Sequence, residues 1–401
     1  MNTKDHPVLP SGYGNIAKHL APRLYDHYGK DSLVLYCPVY SRDRIETWNN
    51  IKILPGVSFD FGEQLILEHY KYHERNLLLQ VGDFAQLKEI PRLAALDEIV
   101  WVQWGPVDFL SEPEWIKDLL RYPLKNVSFS QYGENRLRKM GLSNVHKAIW
   151  IGVDTNIWRP IDRLLLTSVM HSLGFAEDSF NILVAQANQR RKNLQETFAG
   201  ISMFNEIYPE AKTRVYLHTW ASQGEADMTV LLEDAHLTGI TNVTAPYLMM
   251  NGGYTEDQLV KIYNCADVAM DVCLEGFGMG MLQAQAVGTP VIGMLEGPAP
   301  EIVRSGVLVP THHIDYGIPL NKPVADPVRI ADALLTVYDN KGKRSQAAME
   351  HARANFDWDK IAQEWIECID EIMDMQERFT LYIPSPSKTL KRRARKLVEI
   401  G

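Results

Sequence analysis

The sequence predicts an α/β protein made of two doubly wound domains, and three observations support this prediction. Short apolar or β-branched runs alternate with amphipathic segments at helical spacing, which is typical of parallel sheets covered by helices on both faces. The alternation pauses over residues 154–180, a stretch that contains Pro160 and ends in a polar segment, and then restarts. The length of 401 residues also suits two domains of about 150–200 residues each.

The first half of the chain contains five predicted strands. They are residues 32–37, 77–81, 99–103, 125–129 and 145–151. Two helices are predicted between them, at residues 15–28 and 134–140, and Pro22 is expected to interrupt the first. We therefore expect a first domain over residues 1–165.

The second half repeats the pattern and ends in a long helix. The predicted strands are residues 182–185, 214–217, 243–245, 268–272 and 291–293, and the predicted helices are residues 194–208, 228–235, 256–264 and 281–287. A last helix starts after Asp357, whose side chain suits an N-cap. This predicts a second domain over 166–356, a helix over 357–378 and a basic tail over 379–401.

Composition excludes several classes of protein. The net charge of −9 argues against non-specific binding to nucleic acid, so no nucleic-acid partner is expected. No apolar run reaches the roughly 20 residues that cross a bilayer, and the first ten residues have no secretory pattern. The four cysteines are scattered without a C-x-x-C pair, which favours a reducing, cytoplasmic setting over a disulfide framework or a zinc knuckle.

The loop after Val272 is the most informative segment. It reads CLEGFGMGMLQAQAVGTPVIG and joins a predicted strand to a predicted helix. Its glycines allow close approach of the backbone to a ligand, and a helix N-terminus favours a diphosphate. Glu275 at the mouth of the loop suits sugar hydroxyls or a developing positive charge. The alternative is a connection whose glycines serve only packing. A dinucleotide fingerprint is not present, which places a nicotinamide dehydrogenase last.

Residues 275–292, EGFGMGMLQAQAVGTPVI, resemble the EGFGxxxLEAMAxGxPVI segment of retaining glycosyltransferases of family 4, the group 1 enzymes with the GT-B fold. The resemblance implies two Rossmann-like domains that face a cleft, with a C-terminal helix crossing back to the first. It implies that Glu275 lies by the donor sugar, that the amides of Gly278 and Met279 contact that sugar, and that Gln283 holds the nucleotide ribose. The family has Glu at the place of Gln283, so a charge-assisted component worth roughly 1 kcal/mol is lost here.

A basic turn follows the first strand of the second half. Residues 182–193 read ILVAQANQRRKN, with three consecutive cations at 190–192. Cations above a diphosphate neutralise the leaving group, although a solvated basic turn is the alternative. The family has an Arg and a Lys on this loop. Lys192 matches the Lys, the Arg place falls on Gln186, and the expected substitute is Arg191, with Arg190 as the alternative.

The amino end resembles the family's first glycine loop. Residues 10–20 read PSGYGNIAKHL, and the resemblance implies that Gly12 and Gly14 approach the donor phosphate and the acceptor. The strand that should precede this loop is expected to be short, missing or truncated, and a glycine-containing arm is the alternative. A family histidine has no counterpart in residues 101–109. Asp108 and Trp104 in this stretch are candidates for the acceptor side of the cleft, and the alternative is an ordinary buried Trp and a turn Asp.

These observations predict a metal-independent retaining glycosyltransferase without a cofactor. It would move a sugar from a nucleotide-diphosphate donor to a hydroxyl of a glycan, a lipid-linked acceptor or another small acceptor. A lapsed nucleotide-sugar-binding protein and a GT-B epimerase are the alternatives. Six cations within residues 388–396 suit either peripheral contact with acidic lipid at the inner membrane face or a solvated tail.

Overall fold

The computed structural model describes residues 1–38, 44–56, 63–73, 76–83, 89–95, 99–110, 114–221, 224–250, 252–314, 322–340 and 342–382. The chain divides into two compact units, Met1–Ile361 and Ala362–Gly401. Both sheets and the site described below belong to the first unit. Among the described residues, none of the helices combines the length and the apolar character that crossing a bilayer requires.

The first sheet holds seven strands within the described part of the chain. They are β1 (Asn2–Thr3), β2 (Val34–Tyr36), β3 (Glu46–Trp48), β4 (Ile51–Leu54), β5 (Leu78–Val81), β6 (Trp101–Gly105) and β7 (Lys125–Ser128). Their order is β3-β4-β2-β1-β5-β6-β7, and all neighbours are parallel except β3 and β4. The strand order reverses at β1, which places a topological switch point at the end of the shortest strand.

The second sheet holds six parallel strands in the described residues. They are β8 (Asn181–Ala185), β9 (Arg214–His218), β10 (Thr241–Val243), β11 (Val268–Asp271), β12 (Val291–Met294) and β13 (Gly306–Val309), followed by a separate antiparallel pair of β14 (Thr311–Ile314) and β15 (Lys322–Ala325). The order β10-β9-β8-β11-β12-β13 reverses at β8. A second switch point therefore lies between β8 and β11.

Helices alternate with these strands. They are α1 (Gly12–Tyr28), α2 (Glu63–Tyr72), α3 (Glu89–Ala95), α4 (Glu114–Leu119), α5 (Gln131–Lys139), α6 (Thr167–Ser172), α7 (Leu194–Ile207), α8 (Met228–Asp234), α9 (Pro246–Met250), α10 (Glu256–Cys265), α11 (Met279–Ala286), α12 (Ala299–Ile302), α13 (Pro327–Asp339), α14 (Gln346–Phe356) and α15 (Trp358–Tyr382). Helix α7 shows why they form: Leu194, Phe198, Ile201 and Phe204 recur at helical spacing and are buried in the apolar core of the second sheet.

Two strand predictions needed the structure to decide them. The strand before the first glycine loop is short but present, since Asn2 pairs with both Tyr36 and Gln80 at the centre of its sheet. The prediction of a strand at residues 145–151 was wrong. Only an isolated bridge from Val145 to Asn126 forms, because the Ala148 amide donates to the Glu134 carboxylate instead of a ladder partner.

The structure also decides two helix predictions. Pro22 does not interrupt α1, which runs continuously through it. Asp357 caps α15 as expected, because its carboxylate accepts the Asp359 amide at 3.0 Å. The domain boundary near 165, and the return of the last helix to the first domain, stay predictions. We use "amino-terminal half" for residues 1–165 and "carboxyl-terminal half" for residues 166–361.

Glu301 at the end of the short helix α12 joins the two halves. Its carboxylate accepts the backbone amides of Gln131 and Tyr132, at 2.8 and 2.7 Å, in the first turn of α5. It also accepts the indole N–H of Trp150 at 2.8 Å. A carboxylate at a helix N-terminus satisfies amides that the helix itself leaves unbonded, so α5 depends on a residue from the other half for its cap.

Glu256 makes a second connection of the same kind. It opens α10, and its carboxylate receives the Lys18 ammonium at 2.6 Å and the Trp158 indole N–H at 2.8 Å. His19 on the same face of α1 lies 3.3 Å away. Burial alone would raise the pKa of Glu256, but His19, Lys18 and Trp158 outweigh it and lower the pKa to about 2. The group is therefore a permanent anion between the halves.

Candidate functional site

A cavity of about 1030 Å³ opens at both switch points at once. Its walls include the loop from Pro7 to Gly12, which follows β1, and the ends of β8, β9 and β11. The carboxyl ends of parallel strands at a switch point are the usual position of ligands in open α/β sheets. Its volume suits a ligand larger than a single sugar.

The loop after β8 carries Lys192 into this cavity. A single 3₁₀ turn over Arg190–Lys192 leads to Asn193, whose left-handed backbone (φ 51°) starts α7. The Asn193 amide group donates to the carbonyls of Val272 and Pro323, at 3.2 and 3.0 Å. This side chain therefore ties the basic turn to the loop that follows β11.

The loop after β11 carries Glu275 to meet it. The Lys192 ammonium is buried and bonds directly to the Glu275 carboxylate. Gly278 adopts a left-handed conformation (φ 100°) that turns the chain into α11, and no side chain caps that helix. The first-turn amides at Met279 and Gly280 lie at the cavity wall, in the position where a helix N-terminus attracts negative charge.

The charges at the site are arranged in matched pairs. Burial alone would raise the pKa of Glu275, but the charges of Lys192 and Arg191 overcome it and hold the pKa below its ordinary value. Burial acts against the Lys192 ammonium as well, yet the neighbouring Glu275 carboxylate raises its pKa. Both groups are therefore ionised. Burying two charges carries a desolvation cost, and such perturbed pairs cluster at functional sites.

A second carboxyl lies beneath this pair. Asp271 ends β11, accepts the Gln186 side-chain amide at 2.6 Å and the Cys273 thiol at 3.2 Å, and is buried. Burial, and then the charge of Glu275, raise its pKa to about 7 although Lys192 opposes the change. The pKa of the Cys273 thiol is raised mainly by burial, so Cys273 acts here as a neutral donor.

Within the described ranges, one group has three side chains with metal-ligating atoms close together. The ligand atoms of Asp271, Cys273 and Glu275 lie within 4.8 Å of one another. The Lys192 ammonium already contacts Glu275 in this set and supplies the balancing positive charge. Metal independence stays a prediction.

The structure brings most of the predicted site residues to one cavity. Those that line it are Gly12, Arg191, Lys192, Glu275, Met279 and Gln283. Gly14 and Gly278 are not among the residues that line the cavity. A β-carbon at Gly14 would lie 2.8 Å from the His6 carbonyl oxygen, and one at Gly278 would collide with the Met281 side chain. The absence of a side chain at these two positions allows these close contacts.

Sequence reasoning gave no role to a polar and aromatic group at the ends of β9 and β10. His218 lines the cavity, bonds Thr244 at 2.9 Å through Nδ1, and packs its ring against Tyr254. Burial lowers the pKa of His218 to about 4, so the ring is neutral near pH 7. The available signal was its position, because His218 follows directly on the predicted strand 214–217.

Three further polar side chains lie away from the cavity. His312 and His313 are exposed on β14, where His313 contacts Glu296 at 2.8 Å. Asp359 pairs with Arg23 at 2.7 Å beside the start of α15. The basic residues of the tail, 388–396, lie outside the described residues.

Curated relatives match part of the chain. A D-inositol 3-phosphate glycosyltransferase from Paenarthrobacter aurescens is 28% identical over 228 residues, which is 55% of this chain and 50% of that protein. The protein of the same name from Corynebacterium diphtheriae is 38% identical over 115 residues, 27% of this chain and 24% of that protein. The matched region thus spans half or less of the length of these relatives. No family model matches the chain.

Solved structures match over nearly the whole chain. Sucrose-phosphate synthase from Thermosynechococcus elongatus aligns with a TM-score of 0.71 at 14% identity, covering 91% of this chain and 94% of that one. HepE from Anabaena in complex with UDP-glucose aligns with a TM-score of 0.69 at 15% identity, covering 92% and 98%. At this identity the likeness shows the fold.

These similarities confirm two predictions made from residues 275–292. The chain resembles the group 1 glycosyltransferases, and its fold is GT-B.

Proposed function

We propose that the protein is a retaining glycosyltransferase that uses a nucleotide-diphosphate sugar and needs no metal. The observation that carries the proposal is the buried Lys192–Glu275 pair with Arg191 beside it, at the switch point of the second sheet. Lys192 and Arg191 supply the cations that a departing diphosphate requires. The names of the curated relatives and the UDP-glucose bound to HepE support the same class of reaction.

Each group has a defined task in this proposal. Lys192 and Arg191 hold the diphosphate, and Gln283 holds the ribose. Glu275 and the amides of Gly278 and Met279 hold the donor sugar. The bond from the anomeric carbon to the phosphate oxygen breaks while the acceptor oxygen bonds to the same face. The acceptor proton passes to the departing phosphate oxygen, so the chain contributes positioning and charge stabilisation.

A thermal-shift panel of UDP-, GDP- and ADP-glucose tests the donor site. We expect one donor to raise the Tm of the wild type, and Lys192→Ala and Glu275→Ala to abolish that rise. Lys212→Ala is the matched control, because Lys212 is an exposed cation paired with Asp178 far from the cavity. Hydrolysis of the same donor, followed over hours, then measures turnover. A Tm rise that persists in Lys192→Ala would contradict the assigned phosphate site.

One observation favours a second candidate, a protein that binds a nucleotide sugar without transferring it. Gln186 stands where the family resemblance expects an arginine, and its amide is committed to Asp271. Gln283 likewise replaces a glutamate. Under this alternative, the donor stabilises the protein but neither hydrolysis nor transfer occurs. Gln283→Glu would tighten donor binding without producing turnover.

The cellular setting belongs to the same proposal. All four cysteines are free and buried, which suits a reducing compartment such as the cytoplasm. A glycan or lipid-linked acceptor, and peripheral membrane contact through the basic tail, extend the proposal to the acceptor side. Binding of the full chain to vesicles with and without acidic lipid tests the membrane contact.

A further inference from the structure

The backbone at Asp108 is fixed beside the loop after β11 by contacts that do not involve the Asp108 carboxylate. It follows β6 directly after Val107, which is fully buried in an apolar cluster of the amino-terminal half. Just before it, Pro106 touches the loop that holds Glu275: a β-carbon added to Gly276 would lie 2.8 Å from the Pro106 Cα. The backbone therefore holds the Asp108 carboxylate beside the loop after β11, which belongs to the carboxyl-terminal half.

The Arg191 guanidinium lies between two carboxylates from the two halves. Its Nη1 is 3.5 Å from Asp108 Oδ2 and 3.8 Å from Glu275 Oε2. Both distances exceed the 2.7–2.9 Å typical of charge-assisted hydrogen bonds. The Arg191 side chain is 45% exposed, so it pairs loosely and is free to turn toward a better anion. A diphosphate offers such an anion in bidentate geometry.

Asp108 has a polar neighbourhood on the amino-terminal side. Tyr13 at the start of α1 hydrogen-bonds Asp83 at the end of β5, and both lie near enough to interact with Asp108 and Arg191. Burial raises the pKa of Asp108, Arg191 lowers it, and Asp83 and Glu275 raise it again. Without Arg191, this carboxylate would face two other acids with no nearby cation except Lys192.

We propose that Asp108 binds the acceptor hydroxyl, that Arg191 covers it in the unliganded protein, and that the donor diphosphate uncovers it by taking the guanidinium. The inference rests on the proposed function and adds a residue and an order to it. The uncovered carboxylate accepts a hydrogen bond from the hydroxyl that attacks the sugar. Donor binding then precedes acceptor binding.

The same arrangement specifies a class of acceptor. Asp108 puts an acid beside the reacting hydroxyl, and Asp83 is close enough to Asp108 to add to the negative charge there. Like charges close together are strongly unfavourable. A polyol or sugar without a phosphate next to the reacting carbon fits this surface. A hydroxyl flanked by phosphate does not.

Nucleotide binding gives the first test. UDP, GDP and ADP are titrated by calorimetry into the wild type, Asp108→Asn and the control Asp118→Asn, whose carboxylate pairs with Arg121 on the surface of α4. Asp108→Asn releases Arg191, so we expect the Kd of the bound nucleotide to fall about two- to fivefold. Asp118→Asn should leave it unchanged. An unchanged or weaker Kd in Asp108→Asn overturns the proposal while the donor site stands.

Transfer gives the second test. The donor sugar is supplied with glucose, myo-inositol or inositol 3-phosphate as probes, and transfer and donor hydrolysis are measured together. We expect transfer to the uncharged probes, and Asp108→Asn to lower the ratio of transfer to hydrolysis at least tenfold. A preference for inositol 3-phosphate, or an unchanged ratio, overturns the acceptor role. Failure of the wild type to bind any of the three nucleotides removes the proposed function itself and is thereby distinguished.

Discussion

Asp271 is the residue at this site whose pKa lies nearest to neutral pH. Its pKa is about 7, because burial and Glu275 outweigh the opposing charge of Lys192. The Cys273 thiol and the buried Tyr263 phenol complete its surroundings, and burial raises the pKa of both. As pH rises through 7, the carboxyl becomes a second anion beneath the proposed phosphate site.

We therefore expect donor binding to weaken as pH rises. A nucleotide sugar has no terminal phosphate, so its own charge is constant from pH 6 to 8, and the change reports on the protein. An anion binds best while Asp271 is protonated, and the affinity should fall up to about tenfold over this range. Asp271→Asn should remove the slope. Equal slopes in the wild type and the variant, measured by titration calorimetry, would contradict this assignment.

At the scale of elements, helix α5 shows how one half completes a helix of the other. Ser130 accepts the Gly133 amide at 3.1 Å as N-cap. The two preceding amides of the first turn, at Gln131 and Tyr132, are left to Glu301. The negative charge also interacts favourably with the helix dipole.

Glu301→Gln is expected to destabilise the folded chain by about 1–2 kcal/mol, because a neutral amide has one acceptor oxygen for three donors. Urea unfolding at pH 7 measures the loss. The control is Glu233→Gln, an exposed glutamate on α8. If both variants unfold at the same urea concentration as the wild type, the carboxylate does not stabilise the structure.

The sequence predicted some elements well because their signals are local. The apolar spacing of α7 and the strand–glycine–helix pattern around Gly278 each lie within a few residues. The length of strand β1 could not be predicted, because two residues are too few to show a periodic pattern. They are ordered only by the neighbouring strands β2 and β5. The role of Glu301 depends on a contact 170 residues away along the chain, which no local pattern encodes.

At the scale of the first compact unit, close approach of the two halves depends on Gly276. Because Gly276 has no side chain, the loop after β11 meets the Pro106–Val107 backbone. A β-carbon added to Gly276 would lie 3.3 Å from the Val107 nitrogen. The residues proposed to bind the nucleotide lie on one side of this contact, and Asp108 lies on the other. Nucleotide binding therefore needs only one side of this contact, whereas sugar transfer needs both sides in place.

Gly276→Ala should separate these demands. The added methyl group meets backbone atoms, so the halves are held apart, and a misplacement near 1 Å can cost about 100-fold in rate. We expect transfer to fall far more than nucleotide affinity, measured as kcat and Kd. The matched control is Gly239→Ala, where a β-carbon has open space. Transfer at the wild-type rate in Gly276→Ala would mean that this contact is dispensable.

The two indole contacts across the halves have an optical consequence. Trp150 and Trp158 each donate their ring N–H to a carboxylate of the opposite half, Glu301 and Glu256. Separation of the halves would exchange each carboxylate for water and change the emission spectrum of the indole. The two tryptophans are thus intrinsic fluorescent reporters of the contact between the halves. With Phe at the other seven of the nine tryptophans, the motion could be followed in stopped-flow experiments without any attached dye.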